Sequence, residues 1–217
     1  MHTAEPKRKG FLPKTQRLKP DERRAALLSA ARELSVEQGA IPPSLDAIIK
    51  RAGGSRRSVY TAFGCKAGLV NALMSEISTE ILSAFSDDIE QNHDLRTTLM
   101  RFARNLTTVL ASEHGIALSR IILNDCFSSR ERAKTFFAQG PGKAMRLLAN
   151  ILENARARGE IEVQDSLASA GCFIAMSRSF YLERVMQLRP PPGEEEIEIH
   201  VKAVVDTFLN GLRPRER

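Results

Sequence analysis

Apolar residues along this chain recur every three or four positions and show no sustained alternation, so the pattern predicts helices throughout. The first stretch begins at Asp21, where Ala25, Leu27, Leu28, Ala31 and Leu34 share one face until Gly39. Pro42 and Pro43 stop it. Ser44 is placed to cap a second helix running through Ala52, with Leu45, Ile48 and Ile49 turned inward. Gly53 and Gly54 supply permissive backbone for a tight turn, and Ser55 can cap a third helix ending near Phe63. A long helix is expected from Lys66 to about Phe85, on the stripe Leu69, Leu73, Met74, Ile77 and Ile81. Helical patterns resume over about 94–112, 116–126, 129–138, 141–158, 165–188 and 194–212, and the last two are separated by the run RPPPG.

The expected fold class is therefore all-α, with a flexible arm over 1–20, a three-helix helix-turn-helix unit over 21–66 and a helical body over 67–217. The arm, MHTAEPKRKGFLPKTQRLKP, contains six Lys or Arg with Pro and Gly, and too few large apolar residues to offset the entropy of ordering.

Charge sharpens this division. Residues 1–66 carry 14 Lys and Arg against 6 Asp and Glu, whereas residues 67–217 carry 18 against 20. The positive field is confined to the first third, as expected where that part meets a polyanion and the rest does not. Three cysteines, at 65, 126 and 172, are too far apart for a compact zinc site, and an odd number argues against a disulfide scaffold. No apolar run approaches the ~18 residues of a membrane span, and the basic N-terminus lacks the apolar core of a signal peptide. A cytoplasmic protein with no membrane partner is expected.

The third helix carries the chemistry. In a helix-turn-helix the second helix enters the DNA major groove, so its outer face should be polar and basic. The run SRRSVYTAF satisfies this. Arg56 and Arg57 can fork to guanine or grip phosphate, and Ser55, Ser58 and Thr61 can reach bases or backbone. Tyr60 offers a hydroxyl to phosphate. Val59 and Phe63, four apart, should dock the helix against its neighbours. Lys66, at the start of the next helix, and Ser44, at the start of the second, complete the expected DNA-facing set.

The run SLDAIIKRAGGSRRSVYTAFGCKAGLV resembles the DNA-binding segment of TetR-type regulators, with Ser44, Ala52–Gly53, Tyr60, Phe63 and Lys66 in the family's order. The segment GPGKAMRLLANILENARARGEI looks similar to the body of an AcrR-like branch. Three positions depart from the pattern: Gly54 replaces a small β-branched residue, Ile49 an Ala, and Cys65 a Ser cap. The extra glycine is expected to loosen the turn. The resemblance implies a homodimeric regulator of the repressor type on a palindromic operator, with a ligand in the body altering the spacing of two reading heads.

In the last helix Ile197, Val201, Val204, Val205, Phe208 and Leu212 form an apolar stripe, and Ala168, Ala170 and Gly171 in the helix before it permit close approach. Paired with a second copy they would form a four-helix interface, and closing the monomer core is the alternative. A dimer would set its recognition helices about 34 to 36 Å apart, on successive major grooves of double-stranded DNA. Phe102, Leu106, Ile122, Phe173, Met176 and Phe180 are the residues expected to line a pocket for an apolar or aromatic small-molecule effector, and the same residues read equally as plain core.

An enzyme is not expected. The four histidines are scattered, and no HExxH, GxSxG or glycine-rich phosphate loop occurs, so no catalytic residue, metal or cofactor is assigned. Cys65, at a helix start beside Lys66, sits where a thiol becomes reactive, but with no resolving cysteine nearby in sequence it reads as a cap.

Overall fold

Five helix starts among the described residues are set by short polar side chains. The computed structural model describes residues 18–38, 43–91, 94–127 and 129–212. Among these, all regular structure is helical: α1 (Pro20–Gln38), α2 (Leu45–Ala52), α3 (Arg56–Phe63), α4 (Lys66–Gln91), α5 (Leu95–Ala111), α6 (Glu113–Phe127), α7 (Arg130–Gln139), α8 (Pro141–Ala157), α9 (Ser166–Ser177), α10 (Ser179–Val185) and α11 (Glu194–Leu212). Ser44, Ser55, Asp94, Ser129 and Asp165 each accept a backbone N–H three residues on, relieving donors that have no partner in the first turn. Pro141 opens α8, where its fixed φ suits the first turn.

Two apolar clusters result. In the first, Leu27, Leu28, Ala31 and Leu34 of α1 meet Ile48, Val59, the first half of α4 (Leu69, Val70, Leu73) and three α6 residues, Leu118, Ile121 and Ile122. The N-terminal core thus continues past residue 66 and draws α6 into it. The second centres on α5, with Leu99 and Phe102 fully buried among Leu148 and Leu152 of α8, Phe173 of α9 and Val201 and Val205 of α11. Ion pairs knit the edges: Arg51 forks onto Glu37 at 2.9 and 2.7 Å, fixing α2 on α1, Arg32 reaches Glu76 at 3.3 Å, and Arg96 pairs with Asp206 between α5 and α11.

One predicted helix differs. The stretch 165–188 is not continuous: it breaks at Arg178 (φ −99°, ψ 18°) into α9 and α10. The backbone freed by the break is satisfied inside the core, because buried Thr107 donates its hydroxyl to the Ser177 carbonyl at 2.9 Å. No Gly or Pro marks this place in the sequence. Among the described residues no single helix is long and apolar enough to cross a membrane.

Candidate nucleic-acid interface

The orientation of α3 follows from one buried side chain. Val59 is fully buried and Ala62 and Phe63 partly so, which by helical period turns Arg56, Arg57, Tyr60 and Thr61 to solvent on one face. Tyr60 is 56% exposed, a large ring left on the surface of a small helix. The hydroxyls of Ser55 and Ser58 close a capping box at the head of α3, and Ser44 caps α2 through the Ala47 N–H at 3.1 Å.

The turn between α2 and α3 rests on Gly53, at φ 65° and ψ 103°, a region that L side chains rarely adopt. Gly54, expected to loosen the turn, lies outside the left-handed region, so its extra freedom is not used by this conformation. The turn is also braced from α1: Arg23 donates to the Ala52 carbonyl at 3.1 Å, and Arg24 stacks over the Phe63 ring at 5.1 Å.

Charge on this face is divided into paired and free groups. Arg56 lies bidentate on Asp46 of α2, Nε to Oδ1 at 3.0 Å and Nη2 to Oδ2 at 2.9 Å. These hydrogen bonds, with the charge attraction second, hold the Asp46 carboxyl below its usual range and raise Arg56 further above its own. Arg57 and Lys66 are exposed and have no carboxylate partner among the described residues. A shallow groove runs between the start of α1 and α3, lined by Arg23, Arg24 and Arg57 with Ser55, Ser58 and Thr61. The basic pair of α1 was not singled out in the sequence, where it reads as an ordinary solvated helix start. Cys65 is an exposed free thiol whose carbonyl accepts the Leu69 N–H at 3.2 Å.

A second feature lies in the body. A cavity of about 270 Å³ opens between α4, α5, α6, α7, α8 and the α9–α10 break, with Ile77, Leu106, Ile122, Phe136, Phe137 and Ile174 among its apolar walls and Arg178 and Tyr181 at one side. Among the described residues no group of three His, Cys, Asp or Glu is arranged to hold a metal ion.

Family models match both the N-terminal helices and the helical body. Residues 27–73 match "Bacterial regulatory proteins, tetR family", and residues 97–211 match "AefR-like transcriptional repressor, C-terminal domain". The flavonoid-responsive regulator FrrA is 30% identical, with 90% of this chain and all of that one covered at a TM-score of 0.65. The chain belongs to the TetR family of bacterial transcriptional regulators. At 20% identity it shares its fold with a putative TetR-family regulator from Mesorhizobium loti (TM-score 0.75, covering 91% of this chain and all of that one). It also shares it with one from Pseudomonas syringae pv. tomato (TM-score 0.69, 90% and 99%). No curated protein is matched.

In this TetR-family chain the body corrects two sets of expectations. Of the six residues expected around a pocket, Leu106 and Ile122 line the cavity. Phe102 and Phe173 do not: both are fully buried and stack at 6.2 Å between ring centroids, with Phe208 set edge-on to Phe173 at 4.9 Å. Met176 faces a shallow surface groove beside Cys172 and Thr207, and Phe180, turned aside by the break at Arg178, packs on His200 at 4.6 Å beneath Arg189. The walls from α7 and α8 were missed, since nothing in their sequence says that packing stops there.

The second correction concerns the interface residues. Val201, Val204, Val205 and Phe208 are buried within the single chain, where the stripe of α11 closes the core over α5 and α9, and of these Phe208 also lines the surface groove beside Ala168 and Thr207. Gly171 faces Met145 of α8, whose sulfur lies 3.2 Å from where a Cβ would stand. Ala168 is exposed, and the Leu212 side chain lies outside the described residues.

Proposed function

We propose that this TetR-family regulator is a repressor whose homodimer binds a near-palindromic operator through α3 and is released by a small, mainly apolar effector held in the body cavity. The observation that carries this is the outer face of α3, where Arg56, Arg57, Tyr60 and Thr61 project from a helix fixed by a capping box above and Val59 below. Base reading falls to residues 55–61. Phosphate contact falls to Tyr60, Arg57 and Lys66, with the cations of α1 flanking them. For Arg56 to read a guanine, its guanidinium exchanges the Asp46 carboxylate for a base edge.

On this reading, residues 21–66 form the reading head, seated on the first half of α4, 67–217 supply that seat and the body, and the basic arm of 1–20 adds nonspecific affinity in the cytoplasm. The second copy docks on the outer side of α9 and α11, where Ala168, Cys172, Ala175, Ala203 and Thr207 are exposed and small enough for close helix approach, beside Ile199 at 64% exposure. Flavonoid-responsive FrrA makes an aromatic effector a fitting candidate here, given the rings of Phe136, Phe137 and Tyr181 in the wall.

The test is binding to a near-palindrome enriched from random DNA, against its scrambled counterpart at fixed salt. A preference for the enriched duplex is expected. Arg56→Ala should alter which sequence is preferred, whereas Lys66→Ala should weaken all duplexes alike and reduce the salt slope by about one unit. Equal binding of the two duplexes by the wild-type protein would overturn the reading.

A further inference from the structure

The cavity has a polar end, and a break in a helix builds it. Arg178 ends α9 and begins α10, and the carbonyl and hydroxyl of Ser177 beside it are satisfied within the core, the carbonyl by Thr107 and the hydroxyl by the Phe173 carbonyl at 2.9 Å. The short α10 is tied down beyond the break. Buried Arg184 donates to the Ala111 carbonyl at 3.1 Å, and Arg120 of α6 donates to the Val185 carbonyl at 2.8 Å. Arg178 and Tyr181 are thereby held in the cavity wall, with the guanidinium stacked 4.6 Å over the Tyr181 ring.

Among the described residues, the Nε–H of Arg178 is sealed from solvent with no acceptor, and those lining the cavity include no Asp or Glu. A guanidinium donor shut away without a partner is costly, and a cation in an apolar wall is weakly screened. The Nε atom itself is out of reach of a ligand, but an anionic oxygen on the other N–H groups of the same guanidinium would offset its weakly screened charge. Apart from Ser78 and Ser119, the remaining walls are hydrocarbon and aromatic, through Phe136, Phe137, Ile77 and Leu110 among others.

We propose that the effector is an aromatic acid, its rings against Phe136 and Phe137 and its anionic oxygen on the guanidinium of Arg178. The proposal rests on the reading of this cavity as the effector site and adds to it the charge of the ligand and the residue that selects it. Arg178 is a specificity-determining residue in this account, and Tyr181 positions it.

The experiment is calorimetric titration of the full-length protein at pH 7.5 with biphenyl-4-carboxylate and with its neutral match, biphenyl-4-carboxamide. The carboxylate is expected to bind about 10- to 100-fold more tightly, the range of a charge-assisted hydrogen bond. Arg178→Met is expected to bring the two ligands level by weakening the carboxylate far more than the carboxamide. If that variant fails to fold, Arg178→Gln, which keeps an N–H donor without charge, replaces it with the same expected outcome. Equal binding of the two probes by the wild-type protein overturns the proposal, as does a preference that survives both substitutions, or binding of neither probe at millimolar concentration. The effector reading fails separately. If the carboxamide binds equally well and releases DNA, the cavity remains the effector site and only the acid preference falls. If neither probe binds or releases DNA, the proposed cavity site falls with it.

Discussion

Two adjacent glycines in the turn of the reading head should respond to the same substitution in opposite directions. Gly53 holds a positive φ, and the position where a Cβ would stand has nothing within 4 Å, so the cost of Gly53→Ala is backbone strain alone. That strain is about 1–2 kcal/mol, offset by about 0.4–1 kcal/mol through the stiffer unfolded chain, for a net loss of roughly 1 kcal/mol. Gly54 lies outside the left-handed region, and its Cβ would meet Arg23 Nη1 and Ser58 Oγ at 3.4 Å, the near edge of ordinary contact. Only the unfolded-state effect then operates, and Gly54→Ala should stabilise by about 0.4–1 kcal/mol. Urea denaturation of the two variants beside the wild type measures the difference as a shift in midpoint at constant slope. Duplex affinity in the same buffers should fall for Gly53→Ala, because relieving the strain rotates α3 off its seat, and should be kept by Gly54→Ala. Shifts of the same sign, or a larger loss at Gly54 than at Gly53, would refute this account of the turn.

Two further outcomes are expected. Ala203→Glu, on the outer side of α11, should leave the helices folded but shift the protein to monomer in size-exclusion chromatography with light scattering. Val205→Asp, one turn face away and fully buried, should instead unfold the body at a cost of several kcal/mol, and a dimer that survives Ala203→Glu would place the interface elsewhere. The second concerns His200, which is half-buried against Phe180. Its desolvation lowers the imidazole pKa from its ordinary 6.5, opposed by backbone carbonyls at Ser177 and Met176 and by Glu196. A depressed folded-state value means that the unfolded chain protonates first, so this contribution to stability is complete above pH 6.5 and is lost as pH falls through the folded value. Thermal midpoints between pH 8 and 5 should therefore fall less steeply in His200→Gln than in wild type, and parallel curves would remove His200 from the argument.

What could be read from the sequence was local, and what could not was long-range. Ser44 and Ser55 announce their helices because a cap acts on a backbone N–H three residues away, within reach of any short window. The break at Arg178 is invisible by the same measure: the group that satisfies it, Thr107, is 70 residues distant. The ion pair of Asp46 with Arg56 spans a turn whose geometry had first to be known. An apolar stripe says that a face is buried without saying by what. Val201 and Val205 are covered by the same chain, and the exposed small residues beside them, such as Ala203, carry no pattern of their own. Cavities are harder still, since they mark where sequence-distant helices fail to meet. Phe102 and Phe173 look like lining in the sequence but fill the core, while Phe137, on the short α7 with no buried stripe, and Pro141, at the head of α8, form the wall.

The proposed release mechanism depends on two helices that serve both clusters. α4 begins at Lys66, just beyond the Gly64 N–H that closes α3 onto the Tyr60 carbonyl at 2.8 Å. Its Leu69, Val70 and Leu73 belong to the head, and its Ile77, Ser78 and Ile81 to the cavity wall. α6 repeats the arrangement, with Leu118 and Ile121 against the head core and Ser119, Ile122 and Leu123 against the cavity. The one glycine of α4, Gly68, lies in its first turn against the Phe63 carbonyl, and no Gly or Pro follows up to Gln91, so beyond that turn α4 tilts as a rod rather than bending. From Lys66 to Ser78 the rod is about 18 Å long, and a tilt of about 5° at the cavity moves Lys66 by roughly 1.5 Å. Two heads moving in opposite senses change their separation by roughly 3 Å against a groove repeat of about 34 Å, enough to take base-edge hydrogen bonds out of range while looser phosphate contacts persist. An occupied protein should on this argument lose sequence preference before it loses affinity for DNA, so that effector and nonspecific duplex remain bound together when the operator has been released.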